Sequence, residues 1–327
     1  MNVSHIYSNE IPDFISDALE TPPLVRLKNV GMNCGCEYTS FPRFAGIEGY
    51  SRYEHSLGAA LIVWHFTQDK VQSMAALLHD IATPVFAHVV DFLKGDYMTQ
   101  EATEADTESF IRSSPELLSV LKRNGLSVEA VKDYHIYPIA DNDSPKLSSD
   151  RLEYTVGNMI NFGFADTKTA EEIFKNITVG DDELVFTDKN TALRFAECAL
   201  LCSKIYVSDE DRYSMQILSE ILNDALKSGV ISYCDLGTTE PEVIGKLTAN
   251  DNTAFAWMNY VNLNKTETSV FPGEGEGWRK IFAKKRRIDP YVKDLGRLSE
   301  TDEAFAGRLR EFTDESQDYW IRGISAK

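Results

Sequence analysis

Residues 77–88 of the chain read LLHDIATPVFAH. His79 and Asp80 stand side by side at the end of the apolar run SMAALL, and His88 follows Pro84. An imidazole and a carboxylate set among buried positions need partners, because an unpaired buried polar group costs roughly several kcal/mol. Two more residues of ligand type come within reach once helices pack. His55 lies in RYEHSLG, on the preceding segment, and Asp150 opens a later one, DRLEY. Helices joined by a short connection pack antiparallel, so the middle of one approaches the end of the next. Two imidazoles and two carboxylates make a mixed N/O set. It suits a divalent ion (Mn, Fe, Ni, Zn or Mg) better than a thiolate-seeking one.

The elements that must hold these residues read as helices. Leu57, Ala60, Leu61 and Trp64 share one face, which predicts a helix over 51–66. Residues 70–81 predict a second, strongly apolar helix. Pro84 restarts the chain and opens a third over 84–93. Upstream, residues 1–50 are irregular. One helix there begins at Pro22–Pro23 behind Thr21 and ends near Gly31. Helices are also expected over 104–124 and 127–136, and from Ser149 or Asp150 onward after the polar loop DNDSPKLSSD. Two β-rich runs flank Gly-Asp-Asp at 180–182, a hairpin signal within 176–187. Further helices are expected near 188–207, 209–229 and 240–249. A flexible acidic loop is expected at 264–277, and then the most basic stretch, WRKIFAKKRRIDPYV. The fold class is mostly α: a helical bundle, a small antiparallel β element and a helical C-terminal region. A soft boundary near 175–190 divides residues 1–175 from 176–327.

Composition narrows the partners. The 327 residues are 43% hydrophobic, enough for a sizeable core. A net charge of −18 disfavours a nucleic-acid polymer or an anionic membrane as partner. It leaves room for a small phosphorylated molecule held by a local cluster of Arg, Lys or metal. No apolar run approaches the roughly 20 residues of a membrane span, and the N-terminus lacks the pattern of a signal peptide. A cytoplasmic location is expected. The five cysteines are odd in number and form no secreted framework, so reduced thiols are expected. Cys198 and Cys202, one helical turn apart, read as small buried hydrophobes.

Taken together, RYEHSLG, LLHDI, FAHVVD and SDRLEY resemble the HD superfamily of metal-dependent phosphohydrolases, and within it the dNTP triphosphohydrolase branch. The lead-in DALETPPLVRLKNVG and the later DDELVFTDKNTALRFAECALLCSKIY are similar to that branch as well. The resemblance spans about residues 18–225, and more faintly KKRRIDPYV. It implies an HD-domain bundle with His55, His79, Asp80 and Asp150 as metal ligands. It implies phosphate or sugar contacts from Arg52, Arg151 and Tyr154, with His88 and Asp91 near the metal. A dimer or larger homo-oligomer is implied too. Lys285 and Arg286, within the basic run, are candidates for the phosphate tail.

The chain also departs from that pattern. Thr83 and Gln100 occupy places where the branch carries histidines, and Gly157-Asn158 stands where many relatives carry Arg-Asp. Loss of a general acid typically costs about 10²–10⁴-fold in rate. Candidates left for proton transfer are His88, Asp91 and Glu101, with Glu104 three residues beyond. His5, His65 and His135 show no partner pattern. The sequence therefore points to a phosphohydrolase that cleaves a phosphate ester or anhydride of a nucleotide or small phosphorylated metabolite with metal-activated water. The alternative is a nucleotide-binding sensor with a degenerate, poorly catalytic site.

Overall fold

The computed structural model describes residues 3–47, 49–94 and 107–325. The chain opens with α1 (Asp13–Leu19) and α2 (Pro22–Arg26), and a 3-10 turn carries the second on to Asn29. Thr21 stands at the N-cap of α2, although its hydroxyl donates back to the Ala18 carbonyl (2.6 Å). α3 (Arg52–Thr67) starts with a capping box in which Ser51 and Glu54 satisfy each other's backbone N–H. Leu57, Ala60 and Leu61 are buried as their spacing requires. α4 (Lys70–Leu78) is capped by Asp69, which accepts from the N–H groups of Val71 and Gln72. α3 packs against both α4 and α9 (Ser149–Asn161), so three segments carrying ligand-type residues meet around one helix.

The chain leaves helical geometry earlier than periodicity predicts. α4 stops at Leu78, and residues 79–82 form a turn. The Arg26 guanidinium reaches in from α2 and donates to the carbonyls of Ile81 (3.0 Å) and Thr83 (2.8 Å). Pro84 bars residue 83 from the helical region. Phe86 and Ala87 then adopt φ of 58° and 46°, so α5 begins only at Val89 (Val89–Lys94). The helix expected over 104–124 is divided. α6 (Thr107–Ser113) and α7 (Pro115–Arg123) are separated at Ser114, which caps α7. Only α8 (Val128–Val131) forms within 127–136.

α9 is capped by Ser148, as the sequence anticipates to within a residue. α10 (Thr167–Lys175), α11 (Lys189–Tyr206), α12 (Asp209–Lys227), α13 (Glu240–Thr248), α14 (Asp251–Val261), α15 (Leu298–Thr301) and α16 (Glu303–Asp314) follow. The hairpin forms where Gly-Asp-Asp signals it, from β1 (Ile177–Val179) and β2 (Leu184–Phe186). Near the C-terminus are β3 (Leu263–Ser269), β4 (Arg279–Lys280), β5 (Tyr291–Val292), β6 (Gly296–Arg297) and β7 (Trp320–Ser325). β5 adds to β2 in parallel, giving the order β1-β2-β5-β6. A second, antiparallel sheet has the order β3-β7-β4. Its strand β3 occupies residues expected to be loop. Those residues are polar on both faces and gain their order across the sheet, where Glu267 lies opposite Arg322 and the two ion-pair at 2.7 Å.

Among the described residues the architecture is thus mostly α with two small sheets. One apolar cluster gathers α3, α4, α9 and α11 and draws on both sides of the division expected near residue 176. A second gathers residues 34–44, α5, α12, α13 and α14. No described helix is long and apolar enough to cross a membrane. Cys198 and Cys202 are buried, and all five cysteines are free thiols.

Candidate metal centre

Between these clusters the chain brings His55, His79 and Asp80 together, with one donor atom from each within 4.8 Å of the others. His55 comes from the first turn of α3, where it is buried. His79 and Asp80 come from the turn that ends α4, so the break after Leu78 is what aims them. The two Nε2 atoms lie 3.1 Å apart. Asp80 Oδ2 stands 3.7 Å from His55 Nε2 and 3.5 Å from His79 Nε2. Asp150, in the first turn of α9, places Oδ1 at 3.0 Å from His55 Nε2 and 3.6 Å from His79 Nε2. Two donors that each sit about 2.1 Å from one ion stand roughly 3–3.5 Å apart. The spacing therefore matches a common ion, and the donor set suits a divalent one.

The far side of each ring shows the same purpose. His55 Nδ1 donates to Glu153 Oε2 (2.6 Å), and His79 Nδ1 donates to the Ala76 carbonyl (2.7 Å). Both Nδ1 protons are thereby fixed, and both Nε2 atoms face the cluster. The Tyr50 hydroxyl donates to the same Glu153 oxygen. Asp80 is oriented as firmly: Thr83 Oγ donates to its Oδ1 (2.7 Å), and Arg52 donates to Oδ1 (3.0 Å) and Oδ2 (2.8 Å).

Electrostatics follow from this crowding. Burial alone would lower the His55 pKa. The Asp150 and Glu153 carboxylates outweigh it and raise the ring to about 10, so positive charge is favoured at this point. Burial alone would raise the Asp80 carboxyl, but Arg52 and the two imidazoles hold it well below the usual range.

His55, His79, Asp80 and Asp150, with Arg52 and Thr83, line a cavity of about 430 Å³. No protein-family model matches the chain. The chain is similar to a metal-dependent phosphohydrolase, cns2 of Cordyceps militaris. That match is 27% identical over 170 residues, 50% of this chain and 47% of cns2, so it concerns about half of each. The chain is also 24% identical over 257 residues to the uncharacterized protein YdhJ of Bacillus subtilis, covering 77% of both. Among solved structures, a phosphohydrolase of Bacteroides thetaiotaomicron superposes with a TM-score of 0.67 at 16% identity, over 97% of both chains. A hypothetical protein from Aquifex aeolicus gives 0.59 at 18% identity, over 96% of this chain and 93% of that one. At such identities the two structures show a shared fold.

The other residues singled out in the sequence are placed unevenly. Arg52 lines the cavity but is 8% exposed and clasps Asp80. Arg151 lines it too, and its guanidinium holds the 141–148 loop through Asp141 (3.2 Å), the Asn142 side-chain oxygen (2.7 Å) and the Asn142 carbonyl. Tyr154 faces the cavity, and burial pushes its hydroxyl up to about 12. His88 precedes α5 instead of lying within a helix, yet its Nδ1 still donates to Asp91 Oδ2 (2.9 Å). Its Nε2 accepts from Arg286 (3.2 Å). Burial lowers the His88 pKa, Asp91 opposes the shift, and Arg286 and Arg52 reinforce it, so the ring is held neutral.

Around the basic run the chain forms neither helix nor strand, and successive side chains diverge. Lys284 and Arg286 line the cavity. Lys285 does not. Its ammonium donates to the carbonyls of Phe312 (2.6 Å) and Thr313 (3.0 Å) at the end of α16. Glu101 and Glu104 lie outside the described residues.

Sequence reasoning passed over four residues that matter here. Glu153 sits three residues after Asp150, hence on the same helix face, and that spacing could have signalled it. Tyr50 and Arg26 carry no such signal, because their partners are distant in the chain. His135 lines the cavity, although no motif marks it.

Proposed function

We propose that the protein is a metal-dependent phosphohydrolase acting on a nucleotide or another small phosphorylated metabolite. The observation that carries this reading is the His55–His79–Asp80 cluster, with Asp150 beside it and both imidazoles fixed to present Nε2 to one point. The name of cns2 and that of the solved Bacteroides protein support the same reaction class. A divalent ion held by His55, His79, Asp80 and Asp150 would supply Lewis acidity and a bound water of lowered pKa.

The chain's own residues account for the rest. Lys284 and Arg286 bring positive charge to a cavity that Asp80, Asp141 and Asp150 would otherwise make hostile to an anion. Arg286 is the group best suited to a phosphate, because its planar fork matches two phosphate oxygens. A phosphate that draws Arg286 away from His88 leaves Nε2 of a neutral imidazole facing the substrate. That imidazole is positioned by Asp91 and can take or hold a proton there. Arg52 acts from behind, fixing Asp80, and Arg151 fixes the loop at the cavity's edge. Thr83 has its hydroxyl bound to Asp80, so it supplies no proton to a leaving oxygen. That last point favours a second reading, a nucleotide-binding sensor with little turnover.

One assay separates the two. The protein and an Asp80→Ala control are incubated with Mn²⁺ and a panel of nucleotides and sugar phosphates, and the products are resolved by chromatography. Turnover that disappears in the control supports the hydrolase, and the product names the bond cleaved. Tight nucleotide binding without turnover in any divalent metal supports the sensor.

A further inference from the structure

Three consecutive acids open α12, and they have different fates. Asp209 accepts from Arg212 (2.7 Å) and from the Tyr319 hydroxyl (2.9 Å). Glu210 pairs with Arg43 (3.3 Å). Asp211 turns inward and is 8% exposed. Its Oδ2 accepts from the Cys36 thiol at 3.6 Å, a weak donor, and among the described residues its Oδ1 has no hydrogen-bond partner. The neighbouring Arg212 does not neutralise it, because that guanidinium is held by Asp209, Tyr319 and the Ile281 carbonyl.

Asp211 nonetheless lines the cavity that holds the metal ligands. Its neighbours there differ from theirs. Cys34, Phe44, Ile205 and Met215 line the same cavity and belong to the second apolar cluster, and Met215 lies one helical turn beyond Asp211. The cavity therefore has one face of metal ligands and cations, and another face that is apolar and carries a carboxyl. Burial raises that carboxyl to about 8, the Cys36 thiol and Arg212 opposing, so it is a neutral acid near pH 7 with one donor and one acceptor. A buried acid without a matching partner is costly to a fold and marks a functional position.

We propose that Asp211 is a specificity-determining residue whose carboxyl binds the donor–acceptor edge of a planar ring on the non-phosphate part of the substrate, with the ring against Phe44, Ile205 and Met215. This rests on the phosphohydrolase reading above and deepens it. The ligand class is a phosphorylated compound bearing a heteroaromatic ring with an N–H beside a ring nitrogen or carbonyl oxygen, as a nucleobase has. A plain alkyl phosphate leaves the carboxyl unpaired.

The test compares wild type with Asp211→Leu and Asp211→Ala, each confirmed folded by thermal melting. Binding of the four common nucleosides to the Mn²⁺-loaded proteins is measured by calorimetry. Hydrolysis of the matching nucleotides and of two ring-free substrates, glycerol phosphate and tripolyphosphate, is measured alongside. Both substitutions are expected to weaken the best-bound nucleoside roughly tenfold or more. KM for its nucleotide should rise in parallel, with turnover of the ring-free substrates unchanged. Wild type that binds no nucleoside overturns the assignment, as do variants that bind equally well or lose ring-free turnover in the same proportion. If wild type hydrolyses nothing, the phosphohydrolase reading fails, and the nucleoside affinities alone still decide the role of Asp211.

Discussion

Glu153 Oε2 lies 2.6 Å from Nδ1 of His55 and also receives the Tyr50 hydroxyl. The imidazole is thus gripped from behind by a buried carboxylate that is itself oriented by a phenol. Such outer partners typically contribute about 10–100-fold in metal affinity. Glu153→Gln keeps an acceptor but removes the charge that makes His55 basic. It is expected to weaken Mn²⁺ or Zn²⁺ binding by roughly that factor while circular dichroism stays unchanged. Equal affinities by calorimetry would mean that helix packing alone orients the ring.

Two glycines make room for this arrangement. A Cβ at Gly58 would stand 2.5 Å from Glu153 Cγ and Oε1, and a Cβ at Gly157 would stand 2.5 Å from Tyr50 Cζ and its hydroxyl. Alanine in a helix gains about 0.5–1 kcal/mol over glycine. Overpacking a rigid core costs about 1–3 kcal/mol. The second effect wins where the neighbours are buried, so Gly157→Ala should lower the melting temperature. Adding Tyr50→Leu to Gly157→Ala should recover part of the loss. A melting temperature raised by Gly157→Ala alone would show that Tyr50 can yield.

What the sequence made legible here has a physical boundary. His55, His79, Asp80 and Asp150 sit in local motifs, and the helices that carry or lead into them are amphipathic or apolar enough to read. The hairpin at 177–186 is legible for the same reason, since its turn chemistry is local. The end of α4 was not legible, because it depends on Arg26 reaching from α2 to carbonyls more than fifty residues away. β3 was not legible, because polar residues such as Lys265 and Glu267 become a strand only through pairing with β7. Lys285 shows the limit within a motif. Four adjacent cations look equivalent in sequence, and only the folded path of the chain separates Lys284 and Arg286, which line the cavity, from Lys285, which is bound to α16.

That separation predicts a contrast between neighbours. Arg286→Ala removes a cavity cation and the donor to His88 Nε2. KM for the phosphorylated substrate should rise roughly 10–100-fold, the range expected when a charge-assisted contact is lost. Lys285→Ala instead removes the cap on the last carbonyls of α16 and should lower stability by about 0.5–2 kcal/mol with KM unchanged. Steady-state kinetics and denaturant melts on the two variants check this. Equal effects on KM would place both cations on the substrate path.

The buried acid Asp211 ties stability to pH with a defined sign. Its pKa is pushed up to about 8, against about 3.9 for a free aspartate. Between those values the folded state holds a proton that the unfolded state has released. Stability therefore falls as pH rises from about 4 to 8 and levels off above. Asp211→Asn carries no such proton, so its stability relative to wild type should improve by roughly 1.4 kcal/mol per pH unit across that window. Glu37, raised to about 8 by burial and by Glu240, imposes a similar slope on both proteins, and the difference between them isolates Asp211. Denaturant unfolding at pH 5, 6, 7 and 8 measures that difference. A gap that stays constant would mean that Asp211 is ionised throughout, and the carboxyl at the apolar face of the cavity would then be a charge and not a neutral hydrogen-bonding group.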